Sequence, residues 1–217
     1  MQSIKIKKPE IHDDHREFYG ETLAIIEEEL HKMSAEIERL EILEEDLARK
    51  RIEHFKWRIK KPNSIQDKLK RNGKNTDLDT ALTELYDYAG IRIVCAFLED
   101  VYSIRDYFES MKGVTIIEEK DYVKFPKPNG YRSFHMILEI DRKLKENVPK
   151  MHMEIQIRTI SQDSWASLEH QLKYKQKVQH SEMIVEELKR CADELASTDL
   201  TMQTIRDWID GKIEEEI

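Results

Sequence analysis

The stretch Met151–Arg158 alternates strictly between apolar and polar residues. Successive side chains of an extended strand point to opposite faces. Met151, Met153, Ile155 and Ile157 therefore share one face, and His152, Glu154, Gln156 and Arg158 share the other. Taken alone, this is an ordinary strand with one wet face. Two further segments carry groups that can join it. In Asp87-Tyr88-Ala89-Gly90-Ile91-Arg92 an acid stands just before an apolar run, and Arg92 enters that run. An arginine is expensive there unless it meets an anion or an aromatic ring. Asp87 either shapes a turn or, paired with Glu154 from a neighbouring strand, holds a hard cation. Magnesium takes one or two carboxylates together with phosphate oxygens. In Gly130-Tyr131-Arg132-Ser133-Phe134-His135 the glycine permits a tight turn and Tyr131 stands at a strand entry, where a ring can stack on a nucleobase. His135 shares the face of Ser133. A core tyrosine and a satisfied core histidine are the plainer readings of these two.

Charge adds a fourth component. Lys50–Lys74 holds ten Lys or Arg against two acids, Glu53 and Asp67. That is +8 within a chain of net charge −8, which leaves −16 for the rest. Such a segment is either a solvated helix face or a local anion site, not a general nucleic-acid surface. Two acids, an aromatic platform, a histidine and a basic segment suit phosphoryl-type transfer, which needs positioning and charge neutralisation more than covalent catalysis. The chain contains no phosphate loop ending in GK[ST], no G-x-G-x-x-G, no G-x-S-x-G and no cysteine metal pattern. Its two cysteines, Cys95 and Cys191, lie in apolar and helical contexts. Both are expected to be buried and reduced, which fits a cytoplasmic protein. No run approaches the ~20 apolar residues of a membrane span, and the N-terminus has no secretory pattern.

These groups need elements to position them. Residues 1–15 read as a loose arm. Helical spacing of Ile26, Leu30, Met33, Ile37, Leu40 and Leu47 predicts one or two amphipathic helices from Arg16 to Phe55. Pro62 and Asn63 punctuate the chain, and a helix follows from Ser64 to Arg71, closed by Asn72-Gly73. Another runs from Leu78 to Tyr88. Strands are predicted at Ile91–Leu98, Val114–Glu118, Ser133–Ile140 and Met151–Arg158, with a helix at Val101–Met111 and a Pro/Gly loop at Lys124–Gly130. Helices return at 161–177, 181–196 and 198–217. The fold class is α+β: a small mixed sheet of about five strands flanked by helices. The expected organisation is an N-terminal arm and helix at 1–49, a core at 50–177 and C-terminal helices at 178–217, within one structural domain.

The segments RIKKPNSIQDKLKR (58–71), DYAGIRIVCAF (87–97), DYVKFPKPNGYRSFH (121–135), MEIQIRT (153–159) and WASLEHQLKYK (165–175) resemble, in the same order, the synthetase domain of the RelA/SpoT family. The chain is most similar to the stand-alone small alarmone synthetases of the RelQ type. The resemblance implies a nucleotidyltransferase-like core and a reaction in which the ribose 3′-hydroxyl of GDP or GTP attacks the β-phosphate of ATP, giving (p)ppGpp and AMP. It implies that Asp87 and Glu154 hold Mg²⁺, with Glu154 also activating the hydroxyl. It places Tyr131 on the guanine and adenine between Arg58 and Arg92. It puts Lys60, Lys68 and Arg71 on the ATP phosphates. Lys127 and His135 serve the acceptor or the transferring phosphates, Gln156 joins them on the acceptor nucleotide, and Gln156 and Arg158 also support Glu154. A free carboxylate is a weak base toward a ribose hydroxyl, so Glu154 depends on positioning and on nearby positive charge. RelQ-like relatives are homotetramers, and alarmone or single-stranded RNA are their candidate regulators. Here Trp57 precedes Arg58 where the RelQ pattern has a small residue, which puts product activation in doubt. His12-Asp13 lies in the arm with no domain around it, so no hydrolase activity is expected. An adenine-nucleotide acceptor, an RNA-binding module and a structural protein built on the N-terminal helix remain the alternatives.

Overall fold

The computed structural model describes residues 5–7, 11–43, 50–174 and 181–212. Strand β1 (Lys5–Lys7) is followed by helices α1 (Asp13–Tyr19) and α2 (Thr22–Leu43). Strand β2 (Ile52–Ile59) leads into α3 (Pro62–Arg71), α4 (Leu78–Glu84) and β3 (Ala89–Cys95). Then come α5 (Leu98–Ser110), β4 (Val114–Asp121), β5 (Phe134–Ile140), β6 (Met151–Thr159), α6 (Ile160–Tyr174) and α7 (Ser181–Ile209). The strands form one six-stranded mixed sheet in the order β1-β2-β3-β6-β5-β4. The β1–β2 and β3–β6 pairs are parallel, and the other three are antiparallel. The α+β expectation holds, with a short extra edge strand inside what the sequence suggested was a loose arm.

The alternation of β6 works as its sequence dictates. Met151, Met153, Ile155 and Ile157 are fully buried and join one core with Ile26, Leu30, Ile37, Ile93, Val101, Ile104 and Phe108. Burying such side chains contributes roughly 1.5–3 kcal/mol each, and this anchors β6 from below while leaving its polar face open. α3 starts with Pro62 in its first turn, where the missing N–H is harmless. α4 is capped by Asp77, whose carboxylate accepts the Thr80 N–H at 2.8 Å.

Four expectations are corrected. The predicted helix through Phe55 gives way to β2, because Phe55, Trp57 and Ile59 alternate and are buried on one side of the sheet; Leu47 lies outside the described residues. The helix expected to reach Tyr88 stops at Glu84, since Tyr88 is buried and leads into β3. The two C-terminal helices are one: Ser197 and Thr198 continue α7 without a break, and the Thr198 hydroxyl donates back to the Glu194 carbonyl instead of capping a new helix. Cys95 is buried as expected, but Cys191 sits on an exposed face of α7.

Candidate active site

Glu154 lies at the middle of the sheet because β3 and β6 are its central strands. The register sets Gly90 beside Glu154 and Arg92 beside Gln156 across β3–β6. On the other flank of β6, His135 of β5 stands beside Gln156 and Ile137 beside Glu154. β2 brings Arg58 opposite Gly90 and Lys56 opposite Arg92. Arg58 and Arg92 are thus diagonal neighbours on the same face. Such neighbours sit about 7–8 Å apart at the backbone, room for one flat ring between two guanidinium planes. A cleft of about 560 Å³ opens on this face, lined by Arg58, Arg92, Tyr131, Glu154, Gln156 and Arg158 and walled by Ala166 to Gln171 of α6. Gly90 is required at its floor: a Cβ there would lie 2.8 Å from the Glu154 carbonyl oxygen.

Both oxygens of Glu154 are held. Oε1 is 3.1 Å from His135 Nδ1, and Oε2 accepts from Gln156 Nε2 at 2.9 Å. Burial pushes the Glu154 carboxyl up and the Asp87 charge adds to this, but the His135 and Gln156 hydrogen bonds outweigh them and leave it below the ordinary range. An ionised carboxylate only accepts, so His135 Nδ1 carries a proton. Its Nε2 is 2.8 Å from the Tyr131 hydroxyl, which also accepts from Arg158 Nη2 at 2.7 Å. Arg158 Nη2 reaches Gln156 Oε1 at 3.2 Å. Glu154, His135, Tyr131, Arg158 and Gln156 therefore form a closed ring of hydrogen bonds. Lys127 lies over the Tyr131 ring at 5.0 Å and over Tyr122 at 4.5 Å, which keeps positive charge beside the platform.

Asp87 sits beside this ring. Its Oδ2 accepts from Lys60 Nζ at 2.6 Å and Lys68 Nζ at 2.9 Å. Burial works to raise its pKa, yet the two ammonium groups win and hold it low. Its Oδ1 is buried and has no hydrogen-bond partner among the described residues. An orphaned carboxylate oxygen is the kind of acceptor a hard cation satisfies. With this oxygen open, Asp87 and the nearby Glu154 fit an ion that takes its remaining ligands from phosphate and water; no cluster of three or more His, Cys, Asp or Glu suited to a metal occurs among the described residues.

The structure thus brings together Glu154, Gln156, His135, Tyr131, Lys127, Arg58 and Arg92, with Asp87, Lys60 and Lys68 alongside. Arg71 stands apart, exposed at the end of α3, where its Nε donates to the Asp67 carbonyl at 3.3 Å. Two contributors escaped sequence reasoning. Asp163, in the first turn of α6, accepts from both Arg92 and Arg158. Tyr19 of α1 donates to the Lys60 carbonyl at 2.7 Å and ties the N-terminal helices to the site. Asp163, Ala166, Ser167 and His170 recur at helical spacing, which was the available signal for α6. Nothing local marks Tyr19.

Comparison with known proteins identifies the family. The family model described as a region found in RelA / SpoT proteins matches residues 57–179. The GTP pyrophosphokinase YwaC of Bacillus subtilis is 39% identical over 73% of this chain and 76% of its own length. The crystal structure of small alarmone synthetase 2 from Bacillus subtilis superposes with a TM-score of 0.73 at 34% identity, covering 85% of this chain and 96% of that one. Small alarmone synthetase 1 from Bacillus subtilis, solved bound to its product pppGpp, superposes with a TM-score of 0.72 at 29% identity, covering 84% and 92%. The chain belongs to the RelA/SpoT family.

Proposed function

We propose that this protein is a GTP/GDP 3′-pyrophosphokinase. The acceptor's 3′-oxygen bonds to the β-phosphorus of ATP, the bond from that phosphorus to the α,β-bridging oxygen breaks, AMP departs with that oxygen, and the hydroxyl proton passes to Glu154. The observation that carries this reading is the Glu154 carboxylate, ionised and held at both oxygens on the face of a cleft lined by Arg58, Arg92 and Tyr131. A base fixed in this way loses little orientation on reaching the transition state, which offsets its low basicity. Arg58 and Arg92 take the adenine between their planes, and Tyr131 stacks on the acceptor base. Lys60, Lys68 and Arg71 turn to the donor phosphates, and Lys127 and His135 face the acceptor. Asp87 and Glu154 would hold Mg²⁺, which when bound neutralises phosphate charge.

The wider reading is part of the same proposal. The protein acts in the cytoplasm, and no described helix is long and apolar enough to cross a membrane. It assembles as a homotetramer, with residues 50–177 as the synthetase core and the segments on either side as its helical additions. Thin-layer chromatography of labelled ATP incubated with Mg²⁺ and GMP, GDP, GTP or ADP tests the activity. A 3′-pyrophosphorylated guanine nucleotide is expected. Product from ADP alone would change the acceptor, and no product from any acceptor would overturn the reading.

A further inference from the structure

Asp163 has a position that the roles above do not use. Its Oδ1 accepts from Arg92 Nη1 at 3.3 Å and from Arg158 Nη1 at 3.1 Å. Under the assignment proposed above, the two arginines serve different nucleotides. Arg92, beside Arg58, belongs to the donor half. Arg158 belongs to the acceptor half: its other nitrogen, Nη2, holds the Tyr131 hydroxyl and Gln156, and these in turn hold His135 and Glu154. Asp163 is only 9% exposed and Arg158 only 3%. Arg92 Nε is buried without a hydrogen-bond partner among the described residues, so Arg92 is incompletely satisfied and free to settle differently once a ring stacks on it. One carboxylate oxygen therefore stands between two partly desolvated like charges. Any movement of one guanidinium changes the electrostatics felt by the other. Burial and the Arg158 charge both lower the Arg92 pKa, and Asp163 opposes them.

We infer that Asp163 is a positioning residue that couples the two nucleotide sites. Donor binding at Arg92 is transmitted through the shared oxygen to Arg158, and from there to Tyr131 and Glu154. The inference rests on the donor and acceptor assignment above. Coupling of this kind is reciprocal: each nucleotide changes the affinity of the other by the same factor. A merely structural Asp163 would alter stability or both affinities without altering that factor.

Isothermal titration calorimetry of the full chain separates these cases. The affinity of an ATP analogue with a methylene between its α and β phosphates is measured with GDP absent and saturating, and the reverse titration is run. The wild-type factor is expected to be about fivefold or more, equal in both directions. Asp163→Asn is expected to bring it to about one while both nucleotides still bind and the circular dichroism spectrum persists. Asp163→Glu keeps the carboxylate and is expected to retain the coupling. Should Asp163→Asn not fold, Arg92→Lys serves instead, because it leaves the Arg158–Asp163 pair in place and is expected to change GDP affinity although residue 92 lies in the donor half. A wild-type factor of one, an unchanged factor in Asp163→Asn, or an unchanged GDP affinity in Arg92→Lys would overturn the coupling. A wild type that binds neither nucleotide would instead overturn the functional reading on which it rests.

Discussion

In the proposed mechanism Glu154 is the base, and its partners keep it charged. His135 and Gln156 occupy its oxygens, and their hydrogen bonds outweigh burial and the Asp87 charge. Glu154→Gln is expected to lower kcat by about 10²–10⁴-fold with the circular dichroism spectrum unchanged. Because the native pKa lies below the ordinary value of 4.5, the acidic limb of kcat/KM due to Glu154 is expected below pH 4.5, and a limb near neutrality would contradict this. Tyr131→Phe keeps the ring but removes the hydroxyl that links Arg158 to His135. The expected result is an acceptor KM close to wild type with kcat roughly five- to tenfold lower, the rate equivalent of about 1 kcal/mol from one hydrogen bond. Asp87 makes a related point about stability. Its native pKa is held below the ordinary value of 3.8, so between the native and unfolded values the unfolded chain binds more protons and stability rises with pH. Its contribution is fully present above about pH 4 and is lost as pH falls through the lower native value. In urea titrations Asp87→Asn is expected to flatten that acid loss, and an equally steep loss would assign it to other groups.

The elements matter through register. β3 and β6 run parallel with Gly90 beside Glu154, and the 2.8 Å approach at that point leaves no room for a methyl group. Gly90→Ala is expected to cost about 1–3 kcal/mol by overpacking, read as a lower urea midpoint. It should also lower kcat, because the shift falls on the backbone of Glu154. The Tyr131 loop is fixed differently, by α7. Gly130 has φ +89°, and a Cβ there would lie 2.7 Å from the Ala192 Cβ. Arg132 meanwhile donates to the Gly130 carbonyl at 3.1 Å and to Asp193 at 3.0 Å. The C-terminal helix therefore holds the loop that presents Tyr131. Gly130→Ala is expected to raise the acceptor KM more than the donor KM; equal changes in both would show that α7 does not act on this loop.

At the scale of the whole molecule, α6 and α7 display Leu168, Leu172, Leu200, Met202, Trp208 and Ile209, each at least half exposed. So much apolar surface on neighbouring helices is characteristic of an interaction face, which supports the proposed assembly of identical copies. Light scattering after gel filtration is expected to give about four times the chain mass of 25.9 kDa; a monomer mass would contradict it. The N-terminal helices belong to the working part of the fold: Tyr19 anchors the Lys60 carbonyl, and Lys60 pairs with Asp87.

The sequence by itself determined strands β3 to β6, placed α3 and α4 to within two residues of their starts at Pro62 and Leu78, and supplied the residue types of the site, because these depend on side-chain period and local backbone chemistry. It also contained the ordered motifs that mark the family. It misled at Ile52–Phe55, where charged residues between apolar ones read as a helix until the sheet supplied neighbours on both sides. Only the tertiary structure decided which polar groups meet. The hydrogen-bonded ring joins residues 131, 135, 154, 156 and 158, and Asp163 adds residue 92 from 71 positions away. Such partnerships arise from strand order and helix docking, and no local spacing encodes them. Glu154 becomes a carboxylate held at both oxygens only where β3, β5, β6 and α6 converge.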